Sequence, residues 1–241
     1  MNLLAFDTST EMMSVAVQRA VDGPRPASQA CEVWQHTGPG GAQTSATLIP
    51  TIQRLMAQAG LQFGQLEAIV FGSGPGSFTG LRTACSVAQG LAFGASVKVL
   101  PVDTLLAVAE EARAQHAAGL DRYQVLALLD ARMDEMYASR YCFNSSKWIQ
   151  IEGFSLIRPE DLVCEPNWTV AGNVFAAYGA RLPGALAQRV EARPTATAML
   201  RLAPALLGAG AAVRADQALP LYIRDKVAKT TLERAAEKAA L

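Results

Sequence analysis

The hydrophobic pattern of this chain begins with a short apolar run, a polar turn and a second apolar run. Residues 3–6 predict a buried strand, residues 7–10 are polar, and residues 13–18 predict a strand that returns as a hairpin. The same succession recurs over residues 125–142, where a buried strand, a polar turn and a returning strand follow one another. A duplicated hairpin among mixed strands and helices predicts two related α/β domains.

Between and after these hairpins the pattern predicts further elements of both kinds. Helices are expected over residues 104–115 and within 195–213, and strands near residues 30–35 and over 66–71, 97–100 and 168–171. Two other helices carry one apolar stripe each, and Gly60 ends the first of them. The two stripes consist of Leu48, Ile49, Ile52, Leu55, Met56 and Ala59 in residues 47–59, and of Leu81, Ala84, Cys85, Ala88 and Leu91 in residues 78–93.

Several glycines lie between the strand at residues 66–71 and the second of these helices. A glycine-rich turn that opens a helix is able to bind phosphate, because free backbone N–H groups face the ligand. The spacing matches neither G-x-G-x-x-G nor G-x-x-x-x-G-K-[ST], so close backbone packing is the favoured explanation. Ser77 is predicted to cap the helix and not to act as a nucleophile, since G-x-S-x-G is not matched.

The first hairpin has an acidic residue and hydroxyl groups at its turn. Asp7, Thr8 and Thr10 are suited to hold a metal-bound phosphate, although Asp7 is equally typical of a residue that caps its own turn, which we favour. The second copy has Asp130, Ala131 and Arg132, where a phosphate site would need glycine and a hydroxyl. This difference argues against ATP hydrolysis.

Composition limits the remaining classes of function. Lysine plus arginine and aspartate plus glutamate number 21 each, so no net charge favours nucleic acid or an anionic membrane. The four cysteines form no C-x-x-C pair, and His36 and His116 lie in different segments, so neither a disulfide framework nor a zinc site is expected. Without a signal or membrane-spanning segment, a cytoplasmic protein is expected.

The run FGSGPGSFTGLRTACSVAQGLAFG at residues 71–94 resembles the signature of the TsaB family. The likeness extends over the chain through LLAFDTSTEMMSVAV near the start, LLDARMDEMYA at residues 128–138 and PLYIRDKVAK at residues 220–229. The resemblance implies the actin-like/Hsp70-like (ASKHA) ATPase fold, with two related ribonuclease-H-like α/β domains. The implied domains are residues 1–104 and 105–241, and about the last 25 residues are expected to pack back on the first domain.

The resemblance also implies a role in making threonylcarbamoyladenosine in tRNA. Members of this family act without catalytic residues beside TsaD, which transfers the threonylcarbamoyl group to the tRNA adenosine next to the anticodon. They pair with TsaD, or with themselves when TsaD is missing, and the small ATPase TsaE joins the pair. This chain would need no cofactor, its partners would bind ATP or ADP and magnesium or another metal, and tRNA would be reached through the complex.

Three departures from the family pattern concern the site. Gln43 occupies a position where the family commonly has histidine, and the helix start that corresponds to the metal-binding histidine pair of TsaD contains no histidine here. Ser73 occupies a position where the family commonly has arginine, so an anion contact at that position is in doubt. The loop at residues 22–44 is longer than usual.

Two sets of site residues follow, with no catalytic or metal-binding residue among them. The expected partner or dimer interface lies on the two apolar stripes and comprises Leu48, Ile52, Leu55, Met56, Leu81, Cys85 and Ala88, so that Ala88→Arg would abolish pairing and leave the monomer folded. The alternative is that the stripes are fully buried against this domain's own sheet. A vestigial phosphate site would comprise Asp7, Thr8, Thr10, Gly74, Gly76, Arg82 and Asp130. The alternative is an ATP-binding or peptidase-like enzyme of the same fold, with Asp7, Thr8, Thr10 and Asp130 around a metal-bound phosphate.

Overall fold

The computed structural model describes residues 1–21, 31–183 and 188–224. Two five-stranded sheets are formed by successive parts of the chain. The first contains β1 (Leu3–Asp7), β2 (Met12–Ala20), β3 (Cys31–Pro39), β4 (Ala68–Gly74) and β5 (Lys98–Asp103). The second contains β6 (Arg122–Arg132), β7 (Glu135–Asn144), β8 (Lys147–Ile157), β9 (Thr169–Gly172) and β10 (Gln188–Glu191).

Both sheets have the same topology. The first has the order β3-β2-β1-β4-β5, in which β1, β2 and β3 are antiparallel and β4 and β5 run parallel to β1. The second has the order β10-β9-β6-β7-β8, with an antiparallel β6-β7-β8 unit and parallel β9 and β10. Each sheet is therefore ribonuclease-H-like, as the duplicated hairpin indicated, and the pair forms the actin-like fold that the resemblance implied.

The helices are α1 (Thr44–Ala59), α2 (Phe78–Ala95), α3 (Thr104–His116), the single-turn α4 (Phe175–Tyr178) and α5 (Ala196–Gly208). Helix α1 begins three residues earlier than expected, so Pro50 lies in its second turn and not in its first. Gly60 ends α1 in the left-handed conformation at φ 64°, and the Ser77 side chain caps α2, as predicted. No helix among the described residues is long and apolar enough to span a membrane.

Helices α1 and α2 cover one face of the first sheet, and α5 covers the other. The first core joins their apolar stripes to β1, β2 and β4, and a separate cluster packs α5 against β1, β4 and β5. Helix α3 packs mainly on the second sheet. The division at residue 104 therefore differs from the packing, because α5 follows the second sheet in sequence but lies on the first.

The chain after α5 also contacts the first sheet. Val213 pairs with Val99 of β5, and the backbone N–H of Leu221 donates to the carbonyl of Ser73 at the end of β4. The segment after α5 thus packs on the first domain from Val213, slightly earlier than the expected last 25 residues. Positions 225–241 lie outside the described residues.

Candidate functional site: the cleft between the two sheets

A cleft of about 370 Å³ lies where turns of the two domains meet. The turn after β1 provides Ser9 to one side, and the corresponding turn after β6 provides Asp130 to the other. The glycine turn, Asn173 after β9 and the last described residues complete its walls. Its lining includes Ser9, Thr10, Glu11, Gly76, Ser77, Phe78, Asp130, Ala131, Arg132, Met133, Asn173, Leu221, Tyr222, Ile223 and Arg224.

Asp7 does not line this cleft. Its carboxylate is fully buried, and Oδ1 accepts hydrogen bonds from the backbone N–H of Ser9 at 2.9 Å and from its hydroxyl at 2.7 Å. The second oxygen, Oδ2, has no hydrogen-bond partner and lies against Gly72, where an added Cβ would be 1.9 Å from it. Burial raises the pKa of Asp7 to about 7, although the hydrogen bonds from Ser9 oppose this change.

The two threonines of the same turn serve different purposes. The Thr8 hydroxyl is buried and donates to the carbonyl of Gly80 in α2 at 2.7 Å, so it joins the turn to the helix. The Thr10 hydroxyl bonds the backbone of Met12 at 3.2 Å and lies at the cleft wall. Asp7 and Thr8 therefore build the turn, and of these three polar residues only Thr10 reaches the cleft.

The glycine turn permits close backbone packing. An added Cβ would lie 1.9 Å from the Thr8 carbonyl oxygen at Gly80, 2.6 Å from the Ser9 Cβ at Gly76, and 2.4 Å from the Leu221 carbonyl oxygen at Gly74. The backbone N–H of Ser77 is itself bonded to the Ser9 carbonyl at 2.7 Å. The packing explanation is thus confirmed, because each of these glycines is required by a neighbouring backbone or turn.

The remaining two members of the vestigial phosphate set are bound to other side chains. Arg82 lies over the Phe78 ring at 3.8 Å and donates through Nε to the Tyr222 hydroxyl at 2.9 Å. Asp130 accepts from the Tyr178 hydroxyl at 2.7 Å and forms an ion pair with Arg132 at 3.2 Å. Of the seven expected phosphate residues, the structure brings Thr10, Gly76 and Asp130 to the cleft, and places Asp7, Thr8, Gly74 and Arg82 outside its lining.

A second buried acid lies at the junction of β5 and α3. Asp103 caps α3 by accepting from the backbone N–H of Leu105 at 2.9 Å, and the Tyr141 hydroxyl of the second sheet also donates to it. Burial raises the pKa of Asp103 to about 6, and these hydrogen bonds oppose the change. Within the described ranges no three His, Cys, Asp or Glu side chains are grouped so as to hold a metal ion.

The family model described as "TsaD: tRNA N6-adenosine threonylcarbamoyltransferase" matches residues 39–239. The chain is 33% identical to the tRNA threonylcarbamoyladenosine biosynthesis protein TsaB of Haemophilus influenzae, over 94% of this chain and 95% of the relative. It is 32% identical to the protein of the same name from Escherichia coli, over 95% and 96%. The chain belongs to the TsaB family. The solved structure of YeaZ from Pseudomonas aeruginosa is 33% identical and superimposes with a TM-score of 0.77, covering 92% of this chain and 99% of that one.

The pairing residues expected from the TsaB resemblance are all buried in the first domain of this chain. All seven residues, Leu48, Ile52, Leu55, Met56, Leu81, Cys85 and Ala88, are 0–4% exposed. All of them except Leu81 belong to one core with β1, β2 and β4. Their stripes face the sheet, because the sheet needs an apolar cover on that side. These side chains are therefore not a contact surface, and Ala88→Arg would disrupt the monomer itself.

Two of the three departures from the TsaB pattern, Ser73 and Gln43, lie among the described residues. Ser73 is 8% exposed, and its hydroxyl donates to the Val102 carbonyl of β5 at 3.1 Å. It therefore points inward and provides no anion contact. Gln43 is exposed and precedes α1 without a side-chain capping bond. In the long loop, residues 22–30 lie outside the described residues.

Several site residues were not identified from the sequence. Asn173 Oδ1 accepts a hydrogen bond from the backbone N–H of Asp130 at 2.9 Å, and the Tyr178 hydroxyl donates to the Asp130 carboxylate. Tyr222 and Arg224 line the cleft. Each is far in sequence from the group that it contacts. The run PLYIRDKVAK at residues 220–229 contains Tyr222 and Arg224, but it indicated the family and not the cleft.

Proposed function

We propose that this protein is a non-catalytic subunit that supports threonylcarbamoyl transfer to the tRNA adenosine next to the anticodon. In this proposal it pairs with TsaD, the pair recruits TsaE, and the chain forms a homodimer when alone. It works in the cytoplasm, binds no cofactor of its own, and reaches tRNA through the complex. Membership of the TsaB family supports the role in threonylcarbamoyladenosine biosynthesis, and the surface of α1 and α2 supports the pairing.

The outer surface of α1 and α2 carries the proposal. The two helices contain 16 and 18 residues, yet their only charged side chains are Arg54 and Arg82, and Arg82 is engaged with Tyr222. On the outward side, Phe93 is 83% exposed and Ile49 is 42% exposed. Depletion of charge around exposed aromatic and aliphatic side chains is typical of the centre of a protein interface.

Small residues on α2 favour close approach by another helix. At Gly90 and Gly94 an added Cβ would meet nothing within 4 Å, so neither glycine is required by packing inside this chain. Glycine in a helix interior costs about 0.5–1 kcal/mol relative to alanine. Close contact with a partner backbone explains both glycines.

The position of Asp7 supports a non-catalytic role. A carboxylate that binds magnesium must present its oxygens to the ion. Here one oxygen is held by Ser9 and the other faces Gly72 inside the protein. The Asp7 carboxylate, which the enzymatic alternative requires as a metal ligand, is therefore enclosed by Ser9 and Gly72 of this chain.

The decisive experiment is tRNA modification in a reconstituted mixture of TsaD, TsaE, the threonylcarbamoyl-adenylate synthase, ATP, threonine and bicarbonate. We expect modification to require this protein, and the protein alone to produce none. Full modification in its absence would refute the subunit role.

The pairing surface is tested separately with Phe93→Glu and Ile49→Glu. We expect both variants to keep the wild-type unfolding temperature and to lose co-elution with TsaD in size-exclusion chromatography. Val163→Glu is the matched control, because Val163 is 72% exposed but lies beyond β8 of the second sheet. An intact complex with Phe93→Glu would contradict the assignment of this face.

Nucleotide binding by the isolated chain distinguishes the enzymatic alternative. We expect no magnesium-dependent ATP binding in calorimetry. Tight binding that is lost in Asp7→Ala would support the ATP-using enzyme in place of the subunit.

A further inference from the structure

Residues 218–224 connect the two domains along one side of the cleft, and we call them the strap. The strap begins on α2, where the carbonyl of buried Ala218 accepts from Gln89 Nε2 at 2.8 Å and from Cys85 Sγ at 3.3 Å. It then pairs with the end of β4 through the 2.7 Å bond between the Leu221 N–H and the Ser73 carbonyl. Its first half is therefore fixed to the first domain.

Glycine at position 74 allows the strap to approach the end of β4 this closely. Its φ is 129°, a region that favours glycine, and an added Cβ would lie 2.4 Å from the Leu221 carbonyl oxygen. The Tyr222 ring then packs against Phe78 with centroids 5.2 Å apart, and its hydroxyl accepts from Arg82. The middle of the strap is thus held by aromatic and cation–π contacts at the cleft wall.

The end of the strap is fixed to the second domain. Arg224 is 13% exposed and forms an ion pair with Glu135, and it also donates to the Arg132 carbonyl at 3.4 Å and contacts Met133 Sδ. Ile223 packs against the core of the second sheet. One short segment therefore contacts the glycine turn of one domain and the β6–β7 turn of the other.

The β6–β7 turn depends on contacts of this kind for its shape. Arg132, Met133 and Asp134 have φ values of 62°, 56° and 60°, three successive left-handed residues without a glycine. Such conformations are strained and persist where neighbouring contacts enforce them. Arg224 contacts the Arg132 carbonyl and Glu135, and Arg181 pairs with Asp134 at 2.7 Å.

We propose that the strap is an interdomain latch. While Arg224 occupies the β6–β7 turn, the strap keeps the cleft narrow; when Arg224 leaves, the turn relaxes and the two domains move apart about the β5–α3 junction. At that junction the Asp103–Tyr141 hydrogen bond joins the domains independently of the strap. The Glu11–Arg193 ion pair, at 3.0 Å, also joins the two domains beside the cleft, and the latch acts together with it.

The test is hydrogen exchange on the full chain carrying Arg224→Ala. We expect about tenfold faster exchange at residues 130–136, as follows from the loss of a charge-assisted hydrogen bond. We expect a similar increase at residues 9–11, which line the opposite cleft wall and of which Glu11 pairs with Arg193 of the second domain at 3.0 Å. A merely local role would accelerate exchange only in the β6–β7 turn and in the strap itself, and that result would overturn the proposal.

Two further variants keep the test interpretable. Arg214→Ala is the matched control, because Arg214 pairs with Asp216 two residues away and joins no domains, so its exchange pattern should equal that of the wild type. Tyr222→Ala releases the middle of the strap and should reproduce the Arg224→Ala pattern, with a larger radius of gyration in small-angle scattering. An unchanged radius in both Tyr222→Ala and Arg224→Ala would refute domain separation.

Discussion

Asp7→Asn is predicted to change how the stability of the protein depends on pH. The Asp7 pKa is 3.8 in the unfolded reference and about 7 in the folded protein, because burial disfavours the charged carboxylate more than the hydrogen bonds from Ser9 favour it. Between these values the folded state binds a proton that the unfolded state releases, so the free energy of unfolding falls as pH rises. At about 1.4 kcal/mol per pKa unit, the free energy of unfolding above pH 7 is about 4 kcal/mol lower than it is in acid.

Asparagine at this position does not titrate. Its amide nitrogen would have no hydrogen-bond acceptor, just as the hydroxyl of the neutral acid has none, so at pH 4 the variant and the wild type should be similarly stable. At pH 8 the variant should be more stable by as much as about 4 kcal/mol. Asp103, with a pKa of about 6, also lowers the free energy of unfolding as pH rises, and it does so equally in the variant and the wild type.

Urea unfolding followed by circular dichroism at several pH values from 4 to 8 measures this difference. Asp216→Asn is the control, since Asp216 is exposed and Arg214 lowers its pKa, so its profile should run parallel to that of the wild type across this range. Parallel profiles for Asp7→Asn and the wild type would show that Asp7 is ionised normally, and the argument from burial would fail.

Four further substitutions test the packing. Gly80→Ala should lower stability by at least roughly 1–3 kcal/mol, because its Cβ would lie 1.9 Å from a backbone oxygen. Gly90→Ala should instead raise stability by about 0.5–1 kcal/mol. Thermal unfolding compares the two variants, and equal effects would contradict the packing explanation. Ala88→Arg should abolish the folded monomer, since Ala88 is 0% exposed, and a cooperative transition at the wild-type temperature would restore the earlier pairing expectation. Glu110→Ala should cost about 3–5 kcal/mol in urea unfolding, because this carboxylate, 2% exposed, pairs with Arg113 and Arg201; a loss below about 1 kcal/mol would mean that the pairs are weak.

The missed strands show where sequence patterns become ambiguous. Strand β8 is an edge strand whose residues 149 and 151 are isoleucines that remain exposed, so its apolar positions do not mark a buried face. Strand β10 is four residues long, too short for a periodic signal. Both were recognisable only by their pairing with neighbouring strands.

The site was predictable in its components and not in its contacts. The sequence indicated the two acidic hairpin turns and the glycine turn, and Thr10, Gly76 and Asp130 do meet at the cleft. It could not show that Asp7 is buried behind Gly72, because that contact depends on the parallel pairing of β1 with β4.

Local periodicity and turn chemistry act through neighbouring residues, and so the sequence alone determined the duplicated hairpin, the capping of α2 by Ser77 and the end of α1 at Gly60. It also identified the apolar stripes of α1 and α2, but a stripe is equally suited to a sheet and to a partner. The tertiary structure decided between them by placing the stripes on the first sheet and leaving Phe93 outward. The tertiary structure also decided that α5 returns to the first sheet and where the strap lies, since both depend on contacts between residues far apart in the chain.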